Sequence, residues 1–202
     1  MMRKFEIILL LFFFFSASSS AQTKIANDPS RIGVGARILG MGKGYVGLAD
    51  DLCGIFLNPA SLPSIKSWQA TSMSGKFINE YDYVNLGTAF PTGVGVVGIG
   101  YVGSSIGFVA PAATTELVDG IRIIPSTTEG VSFGFNDRVV LLSWGVGGER
   151  LSAGATLKLF SMDLSGPGIV NGTARGNEVD LGVHLQPSDA YKIGLVLQNA
   201  LP

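Results

Sequence analysis

The residues that could do chemistry gather in one glycine-rich stretch, which runs from Gly33 to Leu62. Its segment Gly42–Gly47, like Gly98–Gly103 later in the chain, matches the G-x-G-x-x-G spacing that cradles the phosphates of a dinucleotide. Such a loop needs a buried strand before it, a helix after it and an acidic residue about 20 positions further on. The acids Asp50 and Asp51 follow the first match too soon, and the second match lies inside a strand pattern. The glycines therefore do not predict a nucleotide site.

Catalytic and metal-binding chemistry is equally poorly supported. His184 is the only histidine, and it shares a strand face with Glu178 and Asp180. No recognisable motif places a serine or cysteine nucleophile beside it. The adjacent carboxylates Asp50 and Asp51 favour helix capping over cation binding, because a calcium site needs more oxygen ligands than two neighbours supply. We expect no enzyme, no metal site and no cofactor.

The composition narrows the class of protein. Hydrophobic residues make up 47% of the 202 residues, glycine accounts for 28, and the formal net charge is -1. This charge balance lacks the basic surface of a nucleic-acid-binding protein, so we expect no nucleic-acid partner. Beyond the N-terminus no run of about 18 apolar residues is available for a membrane helix. An apolar, glycine-rich chain of this kind is typical of a membrane β-barrel, and a soluble β-rich domain is the alternative.

The first 21 residues have the pattern of a secretory signal peptide. Arg3 and Lys4 precede the apolar run Phe5–Phe15, and small residues lead to a predicted cleavage site after Ala21. The apolar run is too short to span a bilayer. The pattern predicts export, and the single cysteine, Cys53, cannot form an internal disulfide.

From Trp68 onward the sequence alternates with the period of β-strands. We predict strands over 68–78, 83–90, 94–103, 138–147, 151–162, 177–186 and 191–200. Short turns alternate with long connections, as in outer-membrane barrels, and the long segment 104–137 is expected to contain a short hairpin of its own.

The predicted strands carry apolar side chains on one face and polar side chains or glycines on the other. In a barrel the apolar face contacts lipid and the polar face lines the lumen, whereas in a soluble sandwich the apolar face packs on a second sheet. The polar residues that we expect to face the lumen are Lys158, Glu178, Asp180, His184 and Lys192. Alternation alone does not separate the barrel from the sandwich.

Seven is an unusual number of strands for a closed bacterial barrel, which normally has an even number. The expectation is therefore an all-β, antiparallel transmembrane β-barrel that is partial, with the N-terminal half of a larger barrel in this chain. An eight-strand count is the alternative.

The stretch before the first strand predicts a compact plug. Asp50 or Asp51 can cap a short helical turn, and Asn58 can cap a second turn with Pro59 at its first position. The expected organisation is a signal peptide at 1–21, a plug or hatch segment at 22–66 and barrel strands at 67–202.

Four short motifs occur in a fixed order: Gly35-Ala36-Arg37, Gly40-Met41-Gly42, Ala49-Asp50-Asp51 and Asn58-Pro59-Ala60. This ordered set resembles the N-terminal signature of the FadL-type outer-membrane protein superfamily, especially its PorV-like branch and a related branch of uncharacterised proteins. The strand region matches that superfamily in pattern only. Lys43 departs from the pattern, since a small residue is common there.

The resemblance implies a location and several alternative functions. It places the chain in the outer membrane, in contact with lipid, with the motif segment plugging a fourteen-strand barrel of which seven strands are half. Passive transport of hydrophobic small molecules is the first function it implies. Type IX secretion and surface attachment of a cargo protein is the second, and a structural surface barrel is a third. The hatch residues so implied are Gly35, Arg37, Gly40, Gly42, Asp50, Asp51, Asn58, Pro59 and Ala60.

Overall fold

The computed structural model describes residues 28–32, 34–42, 44–48, 50–77, 81–113, 116–119, 121–123 and 127–201. The predicted signal peptide at 1–21 and the departing residue Lys43 lie outside these ranges. No helix within them is long and apolar enough to cross a membrane.

Short helical turns precede the strands. Two are 3₁₀ helices, η1 (Pro29–Ile32) and η2 (Pro59–Ser64), and two are α-helices, α1 (Ala36–Gly40) and α2 (Gly54–Leu57). None exceeds six residues, so each depends on tertiary packing for its stability. We call the described residues from 28 to 66 the N-terminal segment.

The rest of the described chain is β-structure. The strands are β1 (Gln69–Phe77), β2 (Tyr81–Thr92), β3 (Gly95–Ala113), β4 (Glu116–Val118), β5 (Ile121–Ile123), β6 (Thr127–Gly147), β7 (Leu151–Ser165), β8 (Thr173–Ser188) and β9 (Tyr191–Leu201). Seven of them form one open antiparallel sheet in the order β1-β2-β3-β6-β7-β8-β9. The prediction of an all-β antiparallel chain is confirmed, and each of the seven predicted strands is present.

Strands β3 and β6 are longer than the sequence predicted. Their pairing continues past the predicted ends, from Val96↔Gly145 as far as Ala113↔Thr127, with one irregularity between Ala110 and Ala112. The two-stranded sheet β4-β5 lies beyond this point in the chain. The prediction of a short hairpin within 104–137 is therefore confirmed by β4 and β5. This hairpin is much shorter than the paired extensions of β3 and β6 on either side of it in the chain.

The two faces of the sheet differ sharply in exposure. On β6, Val140 and Leu142 are 38% and 44% exposed, whereas the alternate residues Val139 and Leu141 are fully buried. We call the side that carries Val140 and Leu142 the apolar face, and the side against which the N-terminal segment packs the covered face. The seven-stranded sheet thus leaves its apolar face exposed within the described chain.

The N-terminal segment supplies apolar side chains to a core on the covered face. Ile55 and Phe56 of α2 and Leu62 of η2 belong to one buried cluster with Val102, Val139 and Leu141 of the strands. Burying aliphatic or aromatic side chains of this size contributes about 1.5–3 kcal/mol each, before the entropy cost of ordering the segment.

Glycines let the segment approach the backbone of the sheet. Gly145, Gly154 and Gly182 lie directly opposite one another on β6, β7 and β8, and Pro59 and Ala60 pass over them. A Cβ atom at Gly154 would lie 2.5 Å from the carbonyl carbon and oxygen of Pro59, closer than real contacts allow. This glycine row is therefore required by a backbone-to-backbone contact.

Replacing Gly154 by Ala should destabilise this packing. We expect a loss of about 1–3 kcal/mol in the free energy of unfolding, because the contacting atoms belong to backbone that cannot easily move. Gly107 on β3 has open space around it and provides the matched control, so G107A should be neutral or slightly stabilising. Denaturant titration of both variants tests this, and equal stabilities would contradict the packing argument.

Candidate functional site

The contact between the N-terminal segment and the covered face is the candidate functional site. Asn58 is fully buried at its centre. Its Oδ1 accepts from the Ala60 N–H at 3.1 Å, and its Nδ2 donates to the Val46 carbonyl at 3.1 Å. Asn58 caps η2 with Pro59 at the first turn, as predicted. The Asn58 side chain therefore caps the turn that lies over the glycine row and also hydrogen-bonds the loop that contains Val46.

Two strand side chains hold carbonyl groups of the segment. The Ser152 hydroxyl donates to the Ala60 carbonyl at 2.5 Å, and His184 Nε2 lies 2.8 Å from the Gly47 carbonyl. A carbonyl oxygen can only accept, so the His184 tautomer that makes this bond carries its proton on Nε2. His184 thus anchors the segment, and the two carboxylates predicted on its strand face do not contact it.

A buried ion cluster connects the start of the segment to the strands. Lys158 Nζ lies 3.2 Å from Asp28 Oδ2 and 2.7 Å from Asp180 Oδ2, and its side chain is 1% exposed. Asp28 Oδ1 also accepts from the Ser30 N–H at 2.9 Å and from the Ser30 hydroxyl. Burial of a charge is costly unless it is paired and hydrogen-bonded, and these contacts provide both.

The cluster also reaches the edge strand β9. Asp180 Oδ1 accepts from the Asn199 N–H at 2.9 Å, where β9 carries extra residues relative to β8. Asn199 has a φ of 56°, which asparagine tolerates better than most residues. Glu178, 4% exposed, lies on the same face two residues before Asp180. The predicted set Lys158, Glu178 and Asp180 is therefore brought together under the segment.

Arg37 and Asp50 form a second, more exposed ion pair, which lies within the N-terminal segment. Arg37 Nη1 donates to Asp50 Oδ1 at 2.7 Å and to the Tyr45 hydroxyl at 2.8 Å. The Tyr45 hydroxyl donates to the same Asp50 oxygen at 2.8 Å. Partial burial acts to raise the pKa of Asp50, but the hydrogen bonds from Tyr45 and Arg37 outweigh it and hold that pKa below its usual range.

Asp51 has a different role from its neighbour. Its Oδ1 accepts from the Cys53 N–H at 2.9 Å, at the start of the helical turn that begins with the bond from the Gly54 N–H to the Asp51 carbonyl and continues into α2. Burial raises the pKa of the Cys53 thiol to about 12, so the thiol is protonated at neutral pH. Gly35, at a φ of 91°, leaves room for that sulfur. The prediction that Asp50 or Asp51 caps the short helical turn is confirmed for Asp51, whose carboxylate accepts from the Cys53 N–H at the start of that turn. Asp50 instead pairs with Arg37.

The remaining predicted residues lie at the margin of the site. Gly40 ends α1, and Gly42 has a φ of 59°, which favours glycine. Lys192 is exposed beside the Gly47 contact on β9. Within the described ranges, no group of three or more histidine, cysteine, aspartate or glutamate side chains is placed to hold a metal ion.

Sequence reasoning missed Asp28 and Ser152. Asp28 lies in no motif and is 130 residues from Lys158, so nothing local indicates the pair. One signal was present: if the plug covers the polar face on which Lys158 was predicted to lie, a lysine buried there requires a carboxylate partner. Comparisons with protein-family models, with curated proteins and with solved structures found no match to this chain.

Replacing Lys158 by Met should destabilise the protein strongly. Removing the cation shared by Asp28 and Asp180 leaves buried negative charge uncompensated, at a cost of about 3–5 kcal/mol. K192M removes an exposed lysine from the same strand region and should change stability by less than about 0.5 kcal/mol. Denaturant titration of both variants, with K158M/D180N as a partial rescue, checks this. Equal effects of K158M and K192M would contradict the buried pairing.

Lowering the pH should weaken the ion pair between Arg37 and Asp50. The folded-state pKa of Asp50 lies below its unfolded value, so its stabilising contribution is present above the unfolded pKa and is lost as pH falls through the folded pKa. Limited proteolysis of the N-terminal segment across acidic pH should show a loss of protection that D50N lacks. An identical pH profile for D50N and the parent protein would exclude this contribution.

Proposed function

We propose that this chain is an outer-membrane protein whose sheet contacts lipid through its apolar face and whose N-terminal segment plugs the covered face. The observation that carries the proposal is the reversed placement of side chains. Ion pairs and polar anchors are buried on the covered face, whereas leucines and valines are exposed on the other. Only an apolar surrounding makes that arrangement favourable.

The height of the apolar face supports a bilayer as that surrounding. On β7 its apolar positions run from Leu151 to Leu159, which is about 26 Å along the strand at about 3.3 Å per residue. A strand tilt of about 40° would reduce this to about 20 Å, close to the apolar band of about 25 Å in outer-membrane barrels. Exposed apolar patches on soluble monomers rarely reach this extent.

The open sheet also favours a barrel. In the described chain β1 and β9 are the two edges of the sheet and do not pair with each other. An unpaired edge inside a bilayer leaves backbone groups without hydrogen bonds, each costing several kcal/mol. We infer that further strands complete the barrel around the N-terminal segment.

The activity that we propose is passive passage of hydrophobic small molecules, gated by the N-terminal segment. Several of its anchors are single hydrogen bonds to carbonyl groups, from Asn58 to Val46, from Ser152 to Ala60 and at His184 to Gly47. Each such bond contributes only about 0.5–1.5 kcal/mol, so local displacement costs less than unfolding of the sheet. No enzymatic activity is proposed.

A second function, attachment or export of a secreted protein, is favoured by one observation. The depression that borders the N-terminal segment is lined mainly by polar and charged side chains, among them Lys66, Glu149, Arg150 and His184. A segment that stays in place would suit a barrel that docks a cargo protein better than one that passes small molecules. We therefore keep this as the alternative.

Replacing Asn58 by Ala tests the gating proposal. The variant loses the cap of η2 and the bond to Val46, so we expect faster uptake of the hydrophobic dye N-phenylnaphthylamine by Gram-negative cells that carry the full chain in their outer membrane. N177A, an exposed asparagine on β8, is the matched control and should leave uptake unchanged.

The same cells distinguish the two functions. Unchanged dye uptake in N58A, at equal protein abundance, counts against gated transport. Loss of surface-attached protein in N58A without any change in dye uptake would favour the secretion alternative.

A further inference from the structure

The apolar face ends abruptly at one cross-strand row, and this row carries two arginines. Arg138 on β6, Ser161 on β7 and Arg175 on β8 lie directly opposite one another. The next row towards the short turns contains Val140, Leu159 and, on β8, Asn177. In the next row towards the opposite ends of the strands, every residue on this face is polar. That polar row consists of Lys76, Asp82, Ser105, Asn136, Asp163 and Thr173.

The two arginines have unused hydrogen-bonding capacity. Both are exposed, and within the described part of the chain neither side chain makes an ion pair or a hydrogen bond. The two carboxylates of the adjoining polar row have other partners: Asp82 pairs with Lys76 at 3.5 Å, and Asp163 accepts from the Thr173 hydroxyl at 3.1 Å. Guanidinium groups bind phosphate through two parallel N–H donors, so this surface is suited to an anion.

A shallow depression beside Arg138 gives that anion a place. Its lining includes Arg138, Ser105, Tyr101 and the ion pair of Lys76 with Asp82. Gly103, opposite Arg138, leaves the depression open because it has no side chain. A Cβ atom at this position would lie 2.8 Å from the Tyr101 hydroxyl oxygen. The depression therefore combines the guanidinium group of Arg138 with hydroxyl donors, while the charge of Asp82 is balanced by Lys76.

We propose that this depression, with Arg175 extending it along the row, binds the phosphate group of an anionic membrane lipid. The inference rests on the proposed membrane location. A lipid is favoured over a soluble anion because the exposed apolar rows begin one position away. A lipid whose phosphate contacts Arg138 can lay its acyl chains on Val140, Leu142 and Trp144.

Trp144 provides the readout. It lies six residues from Arg138 on the same face of β6, where the middle of such an acyl chain would reach. The full chain, carrying W68F so that Trp144 is the remaining tryptophan, is reconstituted into phosphatidylcholine vesicles. Quenching of Trp144 by brominated phosphatidic acid is compared with quenching by brominated phosphatidylcholine, and the ratio gives the relative association constant of the two lipids.

We expect a preference for phosphatidic acid that falls about tenfold in R138S/R175S, which corresponds to about 1.4 kcal/mol. The control R150S removes an exposed arginine from the turn at the opposite end of the strands and should keep the preference. Inorganic phosphate in the buffer should not abolish it, because the acyl chains contribute to binding.

The remaining outcomes each contradict the proposal in a distinguishable way. The phosphate site is overturned if the parent protein shows no lipid preference, or if R138S/R175S keeps the same preference. In either case, strong quenching of Trp144 by both lipids would still support the membrane location. Loss of the preference in inorganic phosphate indicates a soluble-anion site instead. If neither brominated lipid quenches Trp144, the proposed membrane location fails together with the lipid site.

Discussion

The structure depends on direct contact between the backbone of the N-terminal segment and the backbone of the sheet. Pro59 and Ala60 can lie over β6, β7 and β8 only because Gly145, Gly154 and Gly182 remove every side chain from that row. This approach brings the segment's carbonyl groups within hydrogen-bonding distance of strand side chains. It also buries charged groups of the covered face, where Lys158 is paired with Asp28 and Asp180 and the fully buried carboxylate of Asp137 has no hydrogen-bond partner within the described chain.

Those pairs explain why the two faces of the sheet have opposite characters. Lys158 and Asp180 are tolerated on the covered face because Asp28 completes the cluster and the segment excludes water around it. The other face has nothing over it in the described chain, and it carries leucine and valine in successive rows. The protein therefore buries the Lys158 ion cluster on the face that the N-terminal segment covers, and it exposes apolar side chains on the face that, in our proposal, contacts lipid.

Much of this could be predicted from local pattern. Alternation identified all seven sheet strands and placed Lys158, Asp180 and His184 on one face, because a period of two fixes which residues share a side. The partners of these residues could not be predicted, since Asp28 and Gly47 lie more than a hundred residues away in sequence. Local reasoning predicted a capping aspartate, which is Asp51, but not the ion pairs with Arg37, which lies 2.7 Å from Asp50 and 3.5 Å from Asp51.

The most direct test of the account is photolabelling of the full chain in vesicles by a carbene reagent that partitions into the lipid phase. Peptide analysis of β6 should find label on Val140, Leu142 and Trp144 and none on the alternate residues Val139, Leu141 and Ser143, which are buried on the covered face. This alternation is the predicted result. Label distributed equally over both sets, or absent from both, would contradict a sheet that contacts lipid through one face and is plugged on the other.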